Sequence, residues 1–138
     1  MVKLDIGDSK TKRTYHLDTA IDFSGKKIGD KIEGRDIKEF SHLKDYEFLI
    51  TGLSDKAGFP SLVQVEGISR KRVLLTRGKA MLKKKPRGLR LRRTVRGNTI
   101  SQEIAQINLK VVKQGSISLN EIFKKSEEAK EETKPEES

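Results

Sequence analysis

A chain of 138 residues suits one ordinary domain with a tail, and its net charge of +10 calls for an anionic partner. The absence of cysteine excludes disulfides and thiolate metal sites, and no stretch approaches the roughly 18 apolar residues needed to span a bilayer. Leu, Ile, Val and Phe make up 27% of the chain, above the roughly 20% under which disorder is the default, so a small aliphatic core is expected.

The first residues, MVKLDIGDSK, have neither the apolar run nor the small-residue cleavage site of a secretory leader. Val2, Leu4 and Ile6 instead alternate with polar neighbours, which predicts a strand. Tyr15 and Leu17 predict a second. DFSGKKIGD reads as turns, and Ile37, Phe40 and Leu43 in RDIKEFSHL allow one or two helical turns. Further strands are predicted around Tyr46–Ile50, Leu62–Val65, Arg72–Leu75, Leu89–Arg96 and Ile107–Val111, with Gly29, Gly34 and Gly67 at bends or bulges. Near the end, Ser118 and Glu121 form a capping box before the short apolar stripe of Leu119, Ile122 and Phe123. Beyond Ser126 only Ala129 is apolar. The resulting expectation is a mainly β domain over residues 1–116, shaped as a small curled or partly closed β-barrel. A short helix over 117–126 and a flexible, disordered acidic tail over 127–138 would follow.

The charge is concentrated. Residues 67–102 hold thirteen Lys or Arg and no Asp or Glu, whereas residues 1–66 are nearly neutral and residues 121–138 are net acidic. A solubilising face mixes signs; this one does not. In KKKPRGLRLRRTVRG, the alternation predicts a strand with Leu89, Leu91 and Val95 inward and Arg90, Arg92 and Arg96 outward, Arg93 falling out of pattern. Same-face residues on a strand lie ~6.6 Å apart, close to the phosphate spacing along a nucleic-acid strand. Arginine grips phosphate oxygens through a planar fork. Arg70, Lys71, Arg72, Arg77 and Lys79 are expected to hold phosphates near one sheet edge. Lys83, Lys84, Lys85 and Arg87, around Pro86 and Gly88, would form a reaching loop. The segment offers no base-reading helix, zinc ligands or zipper for DNA, and no paired stacking aromatics, which favours backbone and shape recognition of folded RNA. No basic amphipathic helix points to a membrane.

Ile50 to Ser61, ITGLSDKAGFPS, reads as a strand end followed by a compact loop. Ser54 and Asp55 can cap backbone N–H groups there, Phe59 can pin the loop or stack on a base, and Lys56 puts a cation at its tip. GLSDKAGFP, followed by RVLLTRG and RRTVRG, resembles the S-six-e family of archaeal and eukaryotic small-subunit ribosomal proteins, from about Leu4 to Gly115. Ile50, Thr51, Gly52, Asp55, Gly58 and Pro60 match the family's loop; Leu53 stands where a second Gly is usual and Ser61 where Met is usual. Eukaryotic members continue into a long basic helix with regulatory phosphoserines, whereas this sequence ends on an acidic segment and so is similar to archaeal members. The resemblance implies a cytoplasmic, non-enzymatic constituent of the small ribosomal subunit. Its partners would be ribosomal RNA and neighbouring small-subunit proteins, with no cofactor and no small-molecule substrate. The alternative is an RNA- or DNA-binding regulator acting off the ribosome.

Enzyme motifs fail on inspection. TRGKAM ends like a phosphate-binding loop, but Val73 stands where its first Gly is required. DFSGKKIGDKIE places Lys26 and Lys27 where a calcium loop needs an oxygen ligand and a Gly. His16 and His42 have no carboxylate or nucleophile partners in the sequence that would suggest catalysis.

Overall fold

The computed structural model describes residues 1–76, 81 and 86–132. The protein is mainly β, as expected, but its sheets remain open rather than closing into a barrel. Among the described residues seven strands are formed: β1 (Val2–Asp8), β2 (Arg13–Thr19), β3 (Lys31–Glu33), β4 (Glu47–Asp55), β5 (Arg70–Leu75), β6 (Leu91–Arg96) and β7 (Ile104–Lys113). Five make one sheet in the order β2-β1-β7-β4-β3, and β5 and β6 form a separate two-stranded ribbon. The β1–β7 pair is parallel and central; the other pairs are antiparallel.

Period-2 alternation gives the main sheet one apolar face. Leu4 and Ile6 of β1, Ile107 and Leu109 of β7, and Phe48 and Ile50 of β4 are all buried there. A β-bulge then changes the phase of β4. Ile50 pairs with Leu109 and Gly52 with Asn108, so Thr51 is an extra residue, its hydroxyl donating to the Asn108 carbonyl. Without the bulge Leu53 and Asp55 would face outward; with it both point inward and are buried.

Helix α1 (Leu119–Glu132) closes part of the core. The Ser118 carbonyl accepts the backbone N–H groups of Glu121 and Ile122, starting the helix where the capping pattern lies. Leu119 and Ile122 are buried in the core, Phe123 stacks on Tyr15 of β2 at 4.7 Å between ring centres, and the Tyr15 hydroxyl bonds the Asn120 side chain. The helix runs six residues past the end expected at 126, because residues beyond the apolar stripe continue the backbone ladder without needing to bury a face. Residues 133–138 of the expected acidic tail lie outside the described residues.

One other expectation is corrected. The Leu62–Val65 alternation does not form a strand: Val65 donates back to the Leu62 carbonyl, closing a turn that buries Val65 and leaves Val63 exposed. The one or two helical turns expected in RDIKEFSHL form as two single 3₁₀ turns, Gly34–Asp36 and Ser41–Leu43. They seat Ile37 and Leu43 in the core.

The phase change in β4 is testable by paired substitutions in urea denaturation. Leu53→Ala should cost about 2–5 kcal/mol, as expected for a buried Leu, whereas Leu49→Ala, on the opposite face of the same strand, should cost under about 1 kcal/mol.

Candidate nucleic-acid interface

The basic ribbon is fixed to the main sheet at its root, and the fixing group is Asp55. Its side chain is fully buried. Oδ2 accepts from Arg96 Nη1 at 2.8 Å and from Arg70 Nε at 2.9 Å. Oδ1 accepts the backbone N–H groups of Ala57 at 2.6 Å and Phe59 at 3.3 Å, so the same carboxylate shapes the loop that follows β4. Gly58 completes that turn at φ +89°, a conformation glycine adopts without strain. The loop is stitched to β6 by the Arg96 N–H, which donates to the Pro60 carbonyl at 2.9 Å, and by the Leu62 N–H, which donates to the Arg96 carbonyl at 3.1 Å. Below it the chain crosses itself closely: a Cβ at Gly97 would sit 1.9 Å from the Gly67 carbonyl oxygen.

Electrostatics follows from this packing. Burial would raise the Asp55 carboxyl, but the hydrogen bonds from Arg96, Arg70 and the two backbone N–H groups outweigh it and hold the group at about 2, against an ordinary 3.8. Arg96 is opposed by burial but raised on balance by its pairing with Glu103 and Asp55. Its Nη2 donates to Glu103 Oε2 at 2.6 Å and to Ser101 Oγ at 3.3 Å.

The two strands of the ribbon pair Arg70 with Arg96, Arg72 with Thr94, Val73 with Arg93 and Leu74 with Arg92. Directly paired residues share a face. One face therefore carries Arg70, Arg72, Arg92 and Arg96; the other carries Lys71 and Arg93 beside Val73 and Val95. Arg72, Arg92, Arg93 and Lys71 are exposed. Arg70 is 45% exposed, with its guanidinium 4.9 Å above the Phe59 ring, so Phe59 pins the loop by holding an arginine.

Arg96 does not stand in the expected outward row. It is 4% exposed and its charge is already matched by Asp55 and Glu103. The reason is position along the ribbon: the face that is open to solvent at Arg92 meets the main sheet at Arg96. Arg90 also lies outside the row, preceding β6 in an exposed segment with Arg87, although it remains solvent-facing. Lys56 is exposed at the loop tip as expected, its backbone N–H held by the Glu103 carbonyl at 3.1 Å. Arg77, Lys79, Lys83, Lys84 and Lys85 lie outside the described residues. The residues that sequence reasoning missed are the acidic ones. Asp55 shows as a turn cap but not as the anchor of two arginines, and Glu103 shows no signal at all.

These features define a small open-sheet protein that displays a cationic ribbon from a carboxylate anchor. The chain belongs to the ribosomal protein S6e family, whose model matches residues 2–124. It is 43% identical over 127 residues to small ribosomal subunit protein eS6 of Archaeoglobus fulgidus, covering 89% of this chain and 95% of that protein. The protein of the same name from Methanococcus maripaludis is 43% identical over 118 residues, covering 85% and 91%. That from Nanoarchaeum equitans is 40% identical over 125 residues, covering 89% and 90%.

Removing one partner of a buried pair leaves the other charged and desolvated. Asp55→Ala should cost about 3–5 kcal/mol in denaturant unfolding. The acid limb carries a second expectation. The unfolded carboxyl titrates near 3.8 and the folded one near 2, so this stabilisation is complete above about pH 4 and is lost as pH falls through about 2. Asp55→Asn should flatten the stability profile across that interval.

Proposed function

We propose that the protein is a structural, non-enzymatic component of the small ribosomal subunit, working in the cytoplasm, and that its β5–β6 ribbon binds the backbone of ribosomal RNA. One observation supports this most: thirteen cations and no acid over residues 67–102, with four of the cations exposed and without a carboxylate partner among the described residues, on a two-stranded ribbon whose root is already neutralised. Arg70 and Arg96 are matched by Asp55 and Glu103. The charge of Lys71, Arg72, Arg92 and Arg93 is left for an external polyanion. On a strand, same-face cations recur at ~6.6 Å, a spacing that long arginines can match to successive phosphates. Both faces of the ribbon are charged, so it can lie between two RNA segments and screen their mutual repulsion.

The proposed partners are ribosomal RNA and adjacent small-subunit proteins. Arg96 is reassigned from phosphate contact to anchoring, because a buried guanidinium with two carboxylate partners has no free face for a phosphate. Lys56, Arg87 and Arg90 remain proposed contacts, since all three are exposed.

Two measurements test this reading. Protein added to small subunits lacking it should co-sediment with them at moderate salt; a protein that binds RNA but remains free in the gradient would instead be a regulator acting off the ribosome. In RNA titrations, the slope of log affinity against log salt should fall by about 1 for each of Arg72, Arg92 and Arg93 replaced by Gln, and substituting Arg13, on the far edge strand, should leave it unchanged. Equal slopes for all variants would remove the ribbon from the interface.

A further inference from the structure

At the root of the arginine face lies a cleft of about 800 Å³, bordered by Gly25, Ile68, Arg70, Ile100, Gln102 and Glu103. Its wall is mainly apolar, and Ile68 at its mouth is 53% exposed although it belongs to no strand or helix. The cleft lies on the path that a polyanion bound to the ribbon would follow. Arg70 borders it, and Arg72, one same-face step or ~6.6 Å farther along β5, continues the cationic row toward Arg92.

We infer that this cleft receives a single unstacked base of the bound RNA. The inference rests on the proposed RNA-binding role and names what the root of that site takes. An unpaired nucleotide combines an anionic phosphate, flat apolar faces and a polar edge, and the cleft supplies a counterpart for each. The phosphate falls beside Arg72, the first unmatched cation of the row. The faces meet the exposed Ile68 side chain and stack against the Arg70 guanidinium, extending the existing layer of Phe59 under Arg70. The edge meets the Gln102 amide, which both donates and accepts, and the Glu103 carboxylate, which is 66% exposed even while it accepts from Arg96 and can accept from a base amino group. An apolar protein side chain would use the wall alone. It would bring no counter-charge to Arg72 and Arg92, which stand unmatched among the described residues just beyond the rim, so the charge complementarity of the adjoining ribbon selects the nucleotide.

The test uses the full chain and two RNA hairpins of equal length, one fully paired and one with a single bulged 4-thiouridine. The bulged RNA should bind several-fold more tightly. Irradiation should crosslink the thio-base to peptides containing residues 68–70 or 99–103. Ile68→Ser and Gln102→Ala, both at exposed positions that spare the core, should bring the two affinities together without changing that for the paired RNA. Equal affinity of the unaltered protein for both RNAs, or crosslinks confined to other peptides, would overturn the inference and leave the ribbon as a backbone binder. Failure to bind either RNA would overturn the proposed function as well.

Discussion

One buried carboxylate holds this structure to its task. Asp55 bonds a guanidinium from each strand of the ribbon and two backbone N–H groups of its own loop, and so ties three segments to the end of β4. A buried charge is costly to desolvate, and the cost is offset only when every acceptor position is filled with good geometry. Here both oxygens are occupied, which is why the group titrates far below its ordinary range despite burial. The consequence is mechanical as much as energetic. A two-stranded ribbon is marginal by itself in water. This one is oriented because its first and last residues, Arg70 and Arg96, are bonded to one point of the main sheet.

The anchor depends on an earlier event in the chain. The extra residue at Thr51 turns Leu53 into the core and brings Asp55 to the same side. It links sheet register to charge placement: the core needs Leu53 inward, and the strand period then delivers Asp55 to the arginines. The arrangement also divides the cations by role. Those at the root are matched internally and serve the fold, and those farther along the ribbon are unmatched among the described residues. A counter-charge from outside is then needed only where it can be reached, an economical distribution for a member of a ribosomal-protein family.

Much of this was legible in the sequence, and the failures have physical causes. The apolar alternations at Val2–Ile6, Tyr15–Leu17, Tyr46–Ile50, Arg72–Leu75 and Ile107–Val111 identify strands because each buries one side against a shared core. Leu62–Val65 has the same alternation, but its chain turns at Val65 after a single bridge from Ser61 to Arg96, and Asn98 takes the Val65 and Val63 carbonyls. The bulge at Thr51 leaves no signature in a two-residue period, so the inward turn of Asp55 was not readable. Arg96 was misplaced for a related reason. Alternation reports which side chains share a face but not where along its length that face stops meeting solvent. The basic segment itself was plain, because a run of one sign needs no structure to be recognised.

The anchoring role of Asp55 is tested most directly by residue-resolved amide hydrogen exchange in the unaltered chain and in Asp55→Asn. The ribbon amides of residues 70–75 and 91–96 should lose protection selectively in the variant, while those of β1 and β7 keep theirs, since an unmoored ribbon opens without unfolding the main sheet. Uniform loss across both sheets, or unchanged protection in the ribbon, would contradict the claim that this carboxylate is what sets the ribbon in place.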